Sequence, residues 1–158
     1  MPLSLSSTEA SARAFFAKPY FAVVGASTNQ AKFGYKIFAW YAYHDLPATP
    51  INPTAPAITV DGTAHDTLAN ISALLNPRET ALSVITPPAV TLQVLQDAQK
   101  LGISAVWLQP GTWDDAVVKF ATDKGNFQDV VAGEGGRGHD GWCVLVDGER
   151  ALKANGKL

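Results

Sequence analysis

Four short apolar runs, each halted by glycine or proline, recur along the chain: YFAVVG ending at Gly25, ATPINP at Pro53, ALSVITPP at Pro88 and ISAVWLQPG at Gly111. Such runs read as strands buried on both faces, the kind that parallel sheets contain. The stretches between them carry apolar residues at helical spacing. Phe33, Ile37, Trp40, Tyr41 and His44 fall on one side of a helix, and Val117, Phe120 and Ala121 form the inner face of another from Trp113 to Lys124. Val90, Val94, Ala98 and Leu101 share a face that Pro88 opens and Gly102 closes. Leu68, Ile71, Leu74 and Leu75 predict a short amphipathic helix stopped at Asn76-Pro77. Ser7 precedes a first helix with Ala14, Phe15 and Phe16 as its apolar patch, whereas residues 54–63, with Pro56, Asp61 and Gly62, read as loop with a little strand.

Strand and helix in alternation predict an α/β chain: a single Rossmann-like, doubly wound parallel sheet with helices on both faces. Right-handed crossovers leave few topologies, and the strand order expected is 3-2-1-4-5. The segment QDVVAGEGGRGHDGWCVLVDGER departs from this rhythm, with two strand-like pieces around a glycine-rich loop, so an extra C-terminal edge strand or hairpin is expected. At 158 residues and 47% hydrophobic content, residues 1–158 suit one domain with a sizeable core.

Several function classes drop out. The net charge is -2 and the basic residues are scattered, which argues against nucleic-acid binding. No apolar stretch approaches the roughly 20 residues of a membrane span, so no membrane partner is expected. A single cysteine, Cys143, makes no internal disulfide, which favours a reducing, cytoplasmic setting; the Ser-rich start, interrupted by Glu9, leaves a mitochondrial transit peptide as a minor reading. His44, His65 and His139 lack the spacing of metal ligands, and no metal is expected. His65-Asp66 reads as a helix-start cap before an acid–base pair, and Ser27 lacks the second glycine of a nucleophile elbow, where Asn29 stands.

Ligands of open parallel sheets bind beyond the carboxyl ends of the strands, where the strand order reverses. That rule selects Gly25 to Gly34, Asn52-Pro53, Thr86 to Pro88 and Gln109 to Gly111, which are expected to converge. In the loop GASTNQAKFG, Gly25 permits a tight turn, Ser27, Thr28 and Asn29 offer short polar side chains, and Lys32 supplies a cation beside a helix start. The same features also suit a plain capped turn. The loop is neither a P-loop nor G-x-G-x-x-G, since Ser27 takes the second glycine position; Asn52 stands where a dinucleotide reader has its acid, so NAD falls behind other nucleotides.

Taken in order, VVGAS with Lys32 and Gly34 downstream, INP, TPP and VWLQPG resemble the signatures of the small CoA-binding-domain proteins, similar to the N-terminal domain of the succinyl-CoA synthetase α subunit; the likeness covers roughly residues 15–125. The resemblance implies coenzyme A or an acyl-CoA as cofactor. It implies Gly25, Ala26, Ser27 and Lys32 near phosphate, Asn52 and Pro53 near the nucleoside, and Thr86, Pro87 and Pro88 near the pantetheine or pyrophosphate, with Gln109 and Gly111 bordering the same crevice. Where small bacterial members have an arginine-cysteine-proline element, this chain has Val130-Val131-Ala132-Gly133. Arg137 and His139 beyond it read as an exposed glycine loop or as a closure over phosphate. In the synthetase the phosphoryl-carrying histidine comes from a second domain, and no counterpart of it is expected in these residues. Binding without catalysis is therefore expected, as in a sensor, carrier or regulator. The alternatives are an NAD(P)-dependent oxidoreductase or CoA transferase using the same crevice, and a dimeric interaction protein with an empty pocket. Tyr35, Phe38, Trp40, Tyr41 and Tyr43 cover more than one helix face, which suits either packing against the first helix or a homodimer patch. Trp107 is expected in the core, and Trp113 either there or beside a ligand ring.

Overall fold

The computed structural model describes residues 7–123, 125–134, 136 and 141–157. Its elements in chain order are α1 (Glu9–Phe16), β1 (Tyr20–Val24), α2 (Phe33–Tyr43), β2 (Ala48–Ile51), β3 (Ala57–Val60), β4 (Thr63–Asp66), β5 (Thr80–Val84), α3 (Pro88–Leu101), β6 (Ala105–Leu108), α4 (Asp115–Thr122), β7 (Asp129–Val131) and α5 (Val144–Ala154). Five strands form one parallel sheet in the order β2-β1-β5-β6-β7, while β3 and β4 pair antiparallel beside it. Alternate strand residues feed two cores. Phe21, Val23, Ala81 and Trp107 meet α1, α2 and α5 on one face. Ala22, Val24, Leu82 and Val106 meet α3 and α4 on the other. Among the described residues no helix is long and apolar enough to cross a membrane.

Counting only the sheet strands along the chain, the order is 2-1-3-4-5, which corrects the expected 3-2-1-4-5. Residues 57–66 stay out of this sheet. Asp61 and Gly62 both take positive φ (50° and 81°), the geometry of a two-residue hairpin turn, so this segment folds back on itself instead of extending the sheet beyond β2. The third sheet strand then docks on the free side of β1. The helix expected across Leu68 to Leu75 is likewise reduced to one 3-10 turn, Ile71–Ala73. Leu68 bridges to Ile51 instead, its N–H donating to the Pro50 carbonyl (3.1 Å) and its carbonyl accepting from Asn52 N–H (2.9 Å).

At the C-terminal end β7 supplies the extra edge strand. The second strand-like piece is the helix α5, and its start explains why. The Asp147 carboxylate accepts from Cys143 N–H (3.0 Å) and the Gln109 side chain accepts from Val144 N–H (2.9 Å), so a β-branched run is capped from within and from afar. Lys124, Arg137 and His139 lie outside the described residues. In α1 the cap is Thr8, which accepts from Ser11 N–H. The Ser7 hydroxyl accepts from Ala132 N–H at 2.9 Å and so ties this end to the strand β7. The aromatic helix α2 does pack against its neighbours. The Trp40 ring lies 5.6 Å from Phe16, and α5 passes so close that a Cβ at Gly148 would sit 2.6 Å from Trp40. Tyr41 is wholly buried, which holds its phenol well above the ordinary tyrosine range, with the Ser83 hydroxyl opposing that rise.

Candidate functional site

Beyond the carboxyl ends of β1, β2 and β5 the sheet opens into a cleft of about 780 Å³. It sits at the switch point, where the chain has placed β2 on one side of β1 and β5 on the other. Gly25, Ala26, Ser27, Lys32, Asn52, Pro53, Thr86 and Pro87 all line it. The volume falls in the range that holds a cofactor-sized molecule.

Backbone proximity shapes its floor. Gly25 has φ +95°, and a Cβ there would lie 2.6 Å from the Ile85 carbonyl oxygen, so no other residue fits without displacing the end of β5. A Cβ at Gly34 would collide with the Gly25 carbonyl oxygen, and α2 therefore starts directly against the loop. The loop holds its own shape: Ser27 Oγ accepts from Asn29 N–H and Asn29 Oδ1 accepts from Ala31 N–H, each at 3.0 Å. Asn52 is a fastener between segments, its Nδ2 donating to the Ala26 carbonyl (3.0 Å) while Oδ1 accepts from the N–H groups of Thr54 and Ala55 (2.8 Å each). The Thr86 and Thr91 hydroxyls share a hydrogen bond of 2.8 Å, anchoring the third segment to the first turn of α3.

Like α3, the helix α2 begins without a side-chain cap. Its N-cap, Lys32, is extended (φ -89°, ψ 149°), makes no side-chain cap, and is followed by no acid in the first turn. α1 and α4 carry caps from Thr8 and Asp114. Positive partial charge thus faces the cleft beside an exposed lysine.

The fourth expected segment does not converge. Pro88, Gln109 and Gly111 do not line the cleft. Gln109 is 4% exposed, and its side chain is used in holding α5: besides accepting from Val144, its Nε2 donates to Cys143 Sγ at 3.3 Å. Strand β6, which it directly follows, is separated from β1 by β5. Gln109→Ala is expected to lower stability by about 1–3 kcal/mol, the cost of leaving a buried helix-start amide unpaired. In urea denaturation the midpoint should fall, while any ligand-induced rise in melting temperature stays as it was.

Several lining residues escaped the sequence reading. Val90 and Val94, assigned to the inner face of α3, line the cleft; Val90 is 48% exposed, and the face that is buried carries Thr91, Leu95 and Ala98. Asp97, one turn further, and Asn70 and Ile71 after the hairpin complete the wall. The signal for α3 was its width, an apolar stripe too broad for one packing contact. Trp113 packs, half-buried, on the core between the sheet and α3 and α4. His65, on β4, rests edge-on against Phe38 at 5.1 Å, away from the cleft.

A sequence profile of the CoA binding domain matches residues 20–131. The chain belongs to the CoA-binding-domain family. The match opens on the first residue of β1 and closes on the last of β7, so the family's domain is the parallel sheet with its cleft, and α1 and α5 lie outside it. Among solved structures, a conserved hypothetical protein from Pyrococcus furiosus is 26% identical with TM-score 0.64, over 81% of this chain and 97% of that one. A hypothetical protein from Pyrococcus horikoshii shares the fold at 20% identity and TM-score 0.72, over 94% and 93% of the two chains. A Thermus thermophilus protein does so at 23% and 0.70, over 90% and 98%. No curated protein matches this CoA-binding-domain chain.

Proposed function

We propose that this chain binds coenzyme A or an acyl-CoA in the cleft and acts as a sensor, carrier or regulator without turning it over. The observation that carries the reading is the uncapped start of α2 beside Lys32, opening onto a cleft inside the family's domain. Main-chain amides and the helix dipole suit the pyrophosphate there, with Gly25, Ala26 and Ser27 allowing close approach. The apolar wall of Ile71, Val90 and Val94 suits the uncharged part of the ligand, reached past Thr86 and Pro87. Of the lining residues only Lys32 and Asp97 ionise in the ordinary sense, and Asp97 accepts from the Gln93 amide at 3.0 Å. Among the described residues of the cleft no nucleophile sits beside a base, which supports binding over turnover. The commitment of Asn52 to its own backbone neighbours supports a ligand other than NAD, whose ribose calls for an acid at that strand end.

Thermal shift with CoA, acetyl-CoA, NAD and ATP tests this. A ligand at a hundred times its dissociation constant adds about 2.7 kcal/mol of stability, and the CoA compounds should produce that rise where NAD does not. Lys32→Ala is expected to weaken CoA about fivefold at low salt, and less at high salt, because an exposed cation is screened. Equal shifts with NAD, or none with CoA, would overturn the assignment. Any NADPH oxidation by the purified chain would favour an oxidoreductase instead.

A further inference from the structure

We infer that Phe33 is the surface on which the ligand's nucleobase stacks; the inference rests on the CoA reading of the cleft. Phe33 is the first residue of α2 and is 59% exposed; of the other aromatics on the helix, Phe38 and Tyr41 are almost wholly buried, and Tyr43, at the far end from the cleft, is 64% exposed. Packing therefore does not explain the ring. It lines the cleft next to the helix start that has no side-chain cap, where the ligand's phosphate would sit. A side chain in the first turn leans back toward the helix N-terminus, so this ring is carried toward that phosphate. Lys36, one turn on, lies 5.5 Å from the ring centroid and covers one of its faces. The ring's exposure leaves surface for a flat partner, and the ammonium draws electron density out of the ring, which favours an electron-rich heterocycle stacked against it. A nucleoside bound through its phosphate at the helix start has its base within reach of this platform; a pantetheine arm presents no flat ring to use it.

The experiment is isothermal titration of the unaltered chain, Phe33→Ala and Phe33→Trp with two ligands: CoA, and phosphopantetheine, which keeps a phosphate and the pantetheine arm but has no adenosine. Ring stacking on this scale predicts that Phe33→Ala weakens CoA about tenfold. It should leave phosphopantetheine unchanged, and Phe33→Trp should restore CoA affinity. The exposed position means that Phe33→Ala should melt with the unaltered chain, so a binding loss is not a folding loss. Equal losses for both ligands, an undiminished CoA affinity in Phe33→Ala, or a Phe33→Trp that behaves like alanine would each overturn the inference while leaving the cleft reading in place. A failure of the unaltered chain to bind CoA at all would overturn both.

Discussion

Gly34→Ala is expected to lower the melting temperature by roughly 5–10 °C and to abolish any response to CoA. Helix propensity alone argues the opposite, because alanine in place of a helical glycine adds up to about 1 kcal/mol of stability. Steric cost outweighs it here. The new methyl group would land on the Gly25 carbonyl oxygen, and both partners are backbone, so no side chain can swing aside. The start of α2 has to retreat, although the helix is pinned by buried Ile37, Phe38 and Tyr41. Overpacking of that kind costs about 2–4 kcal/mol. The same retreat removes the helix-start amides from the cleft. Differential scanning with and without CoA reads both effects, and a variant that melts at or above the parent temperature would show that the close approach is not what sets this residue.

A chain cut to residues 20–131, the extent of the family match, is expected not to fold cooperatively. The sheet face that α1 and α5 cover is its most aromatic part. Phe15 and Phe16 lie 5.5 and 5.7 Å from the Trp107 ring, Trp142 lies 5.8 Å from it on the other side, and all four are at most 1% exposed. Losing one buried aromatic costs about 3–5 kcal/mol, and the cut removes Phe15, Phe16 and Trp142 together with Leu152 and leaves Trp107 and Trp40 bare. Domains hold only about 5–15 kcal/mol in total. Loss of the near-UV signal with dye binding to exposed apolar surface is the expected readout. A sharp thermal transition in the shortened chain would refute the argument.

The parts of the fold that were legible in the sequence are those set by local chemistry. β1, β5 and β6 are largely buried on both faces and are followed within three residues by glycine or proline, and three of the four segments chosen at the strand ends line one cleft. What escaped depends on partners distant in the chain. WCVLV has the composition of a strand, and Gln109, thirty-five residues before Val144, together with Asp147, makes it a helix start. Gln109 itself was placed at the crevice by its position after a strand, and its side chain turns the other way. The hairpin at Asp61-Gly62 was the exception. Its signal is local, two residues suited to positive φ between apolar runs, whereas the wrong strand order came from the crossover rule, which does not decide on which side of β1 the third strand docks.

The way Leu68 lies along β2 also bears on how the molecule behaves in a crowded solution. A sheet border normally offers free amides and carbonyls to any passing extended chain, the first step toward fibrils. At β2 that invitation is withdrawn: Pro50 has no N–H to give, its carbonyl is taken by Leu68, and the next amide, at Asn52, is taken by the same residue. The detour of the chain through the hairpin thus leaves behind a guard against unwanted self-association along the sheet's outer rim.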